Sequence, residues 1–134
     1  MNDEDKYRLD DFELYQLARQ FRQHVYQLIK QLPLQERYCL DQQMRKAIVS
    51  VTNNIAEGHG RWQYKENMRF CRIARGSTEE VLDDINVSLD EGYGQRENNE
   101  QLKREGYNLI CGASTIAKIN SYIAYLRRSL QGSK

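Results

Sequence analysis

Histidine, cysteine and proline are scarce here, and each shortage excludes something. The two histidines, His24 and His59, stand far apart. A di-iron site in a helical bundle needs Glu-x-x-His motifs on two helices, and the sequence has none. "EGHG" offers one acid and one imidazole but no third group at a metal-ligand spacing. Cys39, Cys71 and Cys111 are odd in number, widely spaced and lack a CxxC pair. They read as buried reduced thiols at or near core-facing positions, not as a disulfide framework. No phosphate-binding glycine loop occurs. No metal, no cofactor and no catalytic set is therefore expected, and the chain reads as a non-enzyme. No apolar run approaches about 18 residues, which argues against a membrane span. The acidic start "MNDEDKYRLDDFE" is unlike a signal or transit peptide, so a cytoplasmic location is expected. A net charge of +1 removes the strongest sequence argument for non-specific nucleic-acid binding.

The single proline, Pro33, and the lack of alternating β-branched runs point to an all-α chain. Leu14, Leu17, Ala18, Phe21, Val25, Leu28, Ile29 and Leu32 keep helical spacing in a first helix over 12–32. Asp10 with Glu13 resembles a capping box at its start, and Pro33 ends it. Asp41 is the expected N-cap of a second helix, whose stripe of Met44, Ala47, Ile48, Val51 and Ile55 stops at Gly58 and Gly60. A third helix is expected over 63–91. "EGYGQRENN" is a break, and a fourth helix follows over 97–130. The expectation is one domain over 1–134, an antiparallel up-and-down four-helix bundle, with unanchored ends at 1–10 and 131–134. Its core should hold Phe21, Ile48, Val51, Ile73, Ile85, Ile116 and Ile123.

The densest group of polar handles is "NNIAEGHGRW", which carries the only Trp. Asn54 lies at the edge of an apolar stripe and needs a partner there. Gly58 and Gly60 suit left-handed dihedrals at an abrupt helix end. Glu57 requires a cation, for which Arg75 or Arg61 is best placed. Gly76, beside Ala74 and Ser77, should let a neighbouring backbone approach closely. This reads as a structural corner built from Asn54, Glu57, Gly58, Gly60, Arg61, Arg75 and Gly76, ahead of a ligand site.

The span from "YQLARQF" through "NNIAEGHGR" to "RFCRIARGSTEEVLDDI" carries more than periodicity. Its anchors are Pro33 with Glu36, "NIAEG" at 54–58, Gly60–Arg61 and "ARGS" at 74–77. These residues closely resemble the four-helix-bundle family whose founding members are encoded in intervening sequences of bacterial large-subunit ribosomal RNA genes. The resemblance implies a cytosolic bundle that assembles as a ring of five, with no established activity. More distantly similar are accessory proteins of diversity-generating retroelements, which bind reverse transcriptase and nucleic acid. Those relatives are strongly basic, and this chain is almost neutral.

Charge and side-chain type mark two kinds of surface. Lys65, Arg69 and Arg72 share a face of the third helix, and the bundle topology brings Arg127 and Arg128 to the same end. These five form a candidate nucleic-acid patch, or a solvated face. Gln16, Gln20, Gln23 and Gln27, with Gln31, make an uncharged face on the first helix. Val49 and Ala56, with Thr52, form a small patch on the second. Either is a candidate subunit interface, where charge is depleted. The preferred reading is a non-catalytic module forming a homo-oligomeric ring, a pentamer by resemblance. The alternative is an accessory protein that binds RNA or DNA through the basic end, with a reverse transcriptase or ribosomal RNA as its setting.

Overall fold

A computed structural model describes residues 8–61, 63–110 and 118–132. Among the described residues the chain is all-α, with five α-helices and no strand. They are α1 (Glu13–Ile29), α2 (Leu40–His59), α3 (Tyr64–Glu91), α4 (Arg96–Ile110) and α5 (Ile119–Gly132). Short 3-10 turns at Leu9–Asp11 and Leu34–Glu36 precede α1 and α2.

The helix starts differ from expectation in two places. Phe12 stands before α1 with extended backbone and no side-chain capping bond. Asp10 belongs to the preceding turn and lies 3.8 Å from Arg8 and 3.9 Å from Arg19, so the capping box does not form. Residues 9–10 of the expected loose arm are thus folded into a turn, while 1–7 lie outside the described residues. At the other end Gln131 and Gly132 belong to α5. Cys39, not Asp41, precedes α2. Asp41 sits in the first turn, where its charge suits the helix dipole, and accepts a 2.6 Å bond from Arg45.

The expected fourth helix is described as two, with α5 starting afresh at Ile119 after a bend at Lys118. Ala113, Ile116 and Ala117 of the expected core lie outside the described residues, as does Cys111. Both α4 and α5 pack against α3, which at 28 residues is the longest helix and touches α2, α4 and α5. Beyond α3, Gly92 and Gly94 adopt φ of 74° and 70°, the left-handed region that turns the chain back.

The core runs through Phe21, Val25, Met44, Ile48, Val51, Ile55, Val81, Ile85, Ile123 and Leu126, all buried. Ile73 is a correction, because it is 42% exposed. The buried stripe of α3 passes instead through Asn67, Cys71, Ala74, Thr78, Val81, Ile85 and Ser88. Ile73 precedes Ala74 by one residue, about 100° around the helix. A search for apolar residues alone rotates the helix towards Ile73, because Asn67, Thr78 and Ser88 are polar. Thr78 and Ser88 satisfy their hydroxyls on the carbonyls of Ala74 and Asp84, one turn back.

A polar seam sets the register of α2 against α3. Ser50 Oγ and Ser77 Oγ are 2.8 Å apart, and Gln43 Nε2 donates to Asp84 Oδ1 at 3.0 Å. The pairs 43–84 and 50–77 show that the two helices run in opposite directions. Arg22 donates to Thr52 at 2.9 Å and joins α1 to α2. At one end the Tyr93 hydroxyl donates to Glu36 at 2.9 Å, tying the Pro33–Glu36 turn to the loop after α3.

Burial separates two isoleucines of equal size. Ile48→Ala should cost roughly 2–5 kcal/mol, as expected for a filled core site. Ile73→Ala should fall within about 0.5 kcal/mol of the parent, as at a surface site. Urea denaturation of both variants checks this.

Candidate functional site

The "NIAEGHGR" stretch closes α2 against the start of α3. Gly58 is buried within α2, and a Cβ there would stand 2.6 Å from Asn67 Oδ1 and 3.2 Å from Phe70 Cβ. The missing side chain is thus what lets Asn67 approach. Asn67 is itself buried; its Nδ2 donates to the Tyr122 hydroxyl at 2.9 Å, and its Oδ1 accepts the Cys71 thiol at 3.5 Å. Phe12 stacks on His59 at 4.9 Å and tilts against Tyr122 at 5.1 Å. The corner therefore gathers the start of α1, the end of α2, the start of α3 and α5.

Several expected members take other roles. Glu57 is exposed and pairs with Arg61 at 3.4 Å, one turn on, with Glu66 on the other side of Arg61 at 4.0 Å. Arg75 does not reach Glu57; it donates to Asn120 of α5 at 2.8 Å. The reason is reach: Glu57 lies beside the beginning of α3, and Arg75 lies about three turns further along. Asn54 Nδ2 donates to the Ser50 carbonyl at 2.8 Å and to Ser50 Oγ at 3.0 Å, joining the seam instead of the corner backbone. Gly60 follows α2 with φ of −76°, so no left-handed dihedral ends this helix. Gly76 is exposed with open space around it, while Ala74 is fully buried and the Ser77 hydroxyl meets that of Ser50. Trp62 lies outside the described residues.

Lys65, Arg69 and Arg72 are exposed on α3, as are Arg127 and Arg128 on α5. None forms an ion pair among the described residues; Arg69 lies over the Phe70 ring at 5.2 Å. Asn120 lies opposite Arg75, and Tyr122 reaches Asn67. The later part of α5 consequently runs towards the start of α3, and the five cations share that end. Of the glutamine face, Gln16 donates to the Asp10 carbonyl at 2.8 Å. Gln20, Gln27 and Gln31 border a groove against α4, and Gln23 is exposed outside it. Val49 is half-buried and packs partly against the core. Ala56 is half-buried beside a shallow depression with Asn53, Glu57, Gly60 and Arg61.

The sequence model of the 23S rRNA-intervening sequence protein family matches residues 10–110. The chain belongs to that family. The match takes in α1 to α4 and the corner, and α5 follows it. A comparison with curated proteins finds no match.

Burial holds Cys71 and Tyr122 neutral. Burial pushes the Cys71 thiol up to about 12, so it stays protonated and donates to Asn67. Burial also pushes Tyr122 up to about 12, against the opposing effect of its bond from Asn67. The half-buried His59 is shifted down by desolvation, which favours the neutral ring that stacks on Phe12. Cys39 is exposed, contrary to the expectation of burial, because it precedes α2 instead of lying on its stripe. Among the described residues no three His, Cys, Asp or Glu side chains gather where a metal ion could be held. Asp84 is the anomaly. It is 1% exposed, its Oδ2 has no partner among the described residues, and its pKa is raised to about 7. Burial is the main cause, with Glu80 and Asp83 adding repulsion.

Asn67, Tyr122, Ser50 and Asp84 were missed from sequence. The available signal was a polar residue at a stripe position, as Asn67 is. Gly58→Ala should cost roughly 1–3 kcal/mol, as overpacking does, and thermal melts read it directly. Asp84 gives a pH test. Its folded pKa lies above the unfolded value, so its contribution is full at low pH and is lost as pH rises through about 7. Asp84→Asn keeps the acceptor for Gln43, so it should remove this decline between about pH 4 and 7 and stabilise the protein at pH 8. Denaturation midpoints across pH check both signs.

Proposed function

We propose that the chain is a non-catalytic assembly module, a four-helix bundle in which α4 and α5 share the fourth position, and that it builds a homo-oligomeric ring of five. The observation that carries this is the outer stripe of α3. Ile73 is 42% and Val87 36% exposed there, with the exposed carboxylates Glu79, Glu80 and Asp83 between them. They stand about 21 Å apart along the axis, a distance one neighbouring helix can span. Between them Gly76 presents no side chain. A ring needs two different faces to meet. Leu34 and Tyr38, exposed in the segment before α2, provide apolar surface elsewhere on the molecule.

The second reading is a nucleic-acid-binding accessory protein. It is favoured by Lys65, Arg69, Arg72, Arg127 and Arg128, which lie exposed and unpaired among the described residues.

Light scattering with an absorbance ratio separates the two. The ring reading expects a nucleic-acid-free species of five protomers that survives high salt, because exposed ion pairs are weak and screened. Ile73→Asp with Val87→Asp should dissociate it while leaving helicity intact. A monomer at micromolar concentration would overturn the ring. Salt-dependent RNA binding that is lost with Lys65, Arg69 and Arg72 changed to Ala would then establish the second reading, since phosphate contacts release counterions.

A further inference from the structure

Nothing within its own chain explains Gly76. It lies midway along α3, and glycine is among the poorest residues for a helix interior. Its φ is not positive, since among the described residues only Gly92 and Gly94 take that conformation. No described residue would come within 4 Å of a Cβ placed there. What the missing side chain permits is close approach from outside. The surroundings suit one kind of visitor. Along the exposed side of α3, Ile73, Gly76, Glu80, Asp83 and Val87 follow one another at helical spacing, with Glu79 beside them. Two apolar ends thus enclose three carboxylates, none of them in an ion pair among the described residues.

The turn before α2 has the matching chemistry. Leu34 and Tyr38 are 79% and 74% exposed, more than any other large apolar residue described. Arg37 lays its guanidinium over the Tyr38 ring, 5.7 Å from its centre, and is in no ion pair among the described residues. This turn is fixed before any contact is made. The backbone amides of Glu36, Arg37 and Cys39 donate to the carbonyls of Pro33, Leu34 and Glu36. The Tyr93 hydroxyl donates to Glu36 and accepts from Gln35 at 3.4 Å. A preset turn loses little freedom on docking. Within one chain the two features cannot meet. Tyr93 ties the turn to the last residues of α3, and Gly76 lies about 22 Å back along the axis from Glu91.

We propose that the turn at 34–38 of one copy docks on α3 of the next, with the Tyr38 ring over Gly76 beside Ile73, Arg37 on Glu80 and Asp83, and Leu34 on the side of Val87. This rests on the ring reading and names the two faces that meet in it. The end of one bundle contacts the side of its neighbour, a heterologous contact of the kind that closes into rings. The glycine admits the aromatic ring, and the carboxylates fix which way round the turn lies.

Cross-linking of the full chain tests it. Cys39 is exposed next to Tyr38, whereas Cys71 is buried. Ile73→Cys under mild copper-catalysed air oxidation should give a ladder of covalent oligomers, with Cys39 bonded to position 73 by peptide mapping. Adding Cys39→Ser should abolish that bond. Gly76→Gln replaces a poor helix former with a good one, so the protomer should melt no lower. Assembly of that variant should nevertheless weaken at least about tenfold, the loss expected of one well-packed contact. Arg37→Glu and Glu80→Arg should each weaken assembly, and together they should recover part of the loss. A ring that yields no Cys39 bond to position 73, or that ignores Gly76→Gln, overturns the docking and leaves the ring reading standing. A parent chain that stays monomeric at micromolar concentration overturns both.

Discussion

The space left by one absent methyl group organises the molecule. Because Gly58 has no Cβ, Asn67 enters against α2, and from there it holds the hydroxyl of Tyr122. A buried amide without partners costs about 1–3 kcal/mol, so this approach is stable only because both ends of Asn67 are satisfied. The thiol of Cys71 supplies the second partner and must stay protonated to do so, which its burial ensures. Phe12 and His59 close the same corner from the other side. The glycine is therefore a matter of distance and not of dihedral freedom.

Much of the fold could be read from periodicity, and the misreadings share a cause. The stripes of α1 and α2 alternate cleanly between apolar and polar positions, so Phe21, Ile48 and Val51 were placed in the core, where they lie. In α3 the inward stripe contains Asn67, Thr78, Asp84 and Ser88. Counting apolar residues there favours Ile73, one position out. Periodicity records how often water is excluded, and it cannot see a polar group whose hydrogen bond lies on another helix. The corner was recognisable from Gly58, but its partners were not. Arg75 and Arg61 both suited Glu57 by charge, and it is Arg61, four residues on and just past the end of α2, that pairs with it. Charge pairing has no distance in a sequence, whereas an i, i+4 pair does.

The seam between α2 and α3 explains why polar residues are tolerated at half-buried positions. Asn54, Ser50 and Ser77 form one connected set, and Gln43 with Asp84 forms another. Sliding one helix by a turn would leave these groups facing the wrong neighbours, each at the cost of an unmet bond. Apolar stripes alone discriminate poorly between such shifts, since leucine and isoleucine pack in many registers. The seam selects one alignment, and Asp84 is where that selection is incompletely satisfied.

The attachment of α5 has a consequence for motion. Its contacts are chiefly with α3, and it meets α4 only slightly. Two of its polar fastenings, Tyr122 to Asn67 and Asn120 to Arg75, lie within its first turn. The other helices keep most of their mutual contacts without it. Such a segment is expected to open below the free energy of global unfolding, although Ile119, Ile123 and Leu126 anchor it in the core. Its amides should therefore exchange with solvent as a block, ahead of those of α2 and α3, and the aromatic corner beneath it breathes on the same clock.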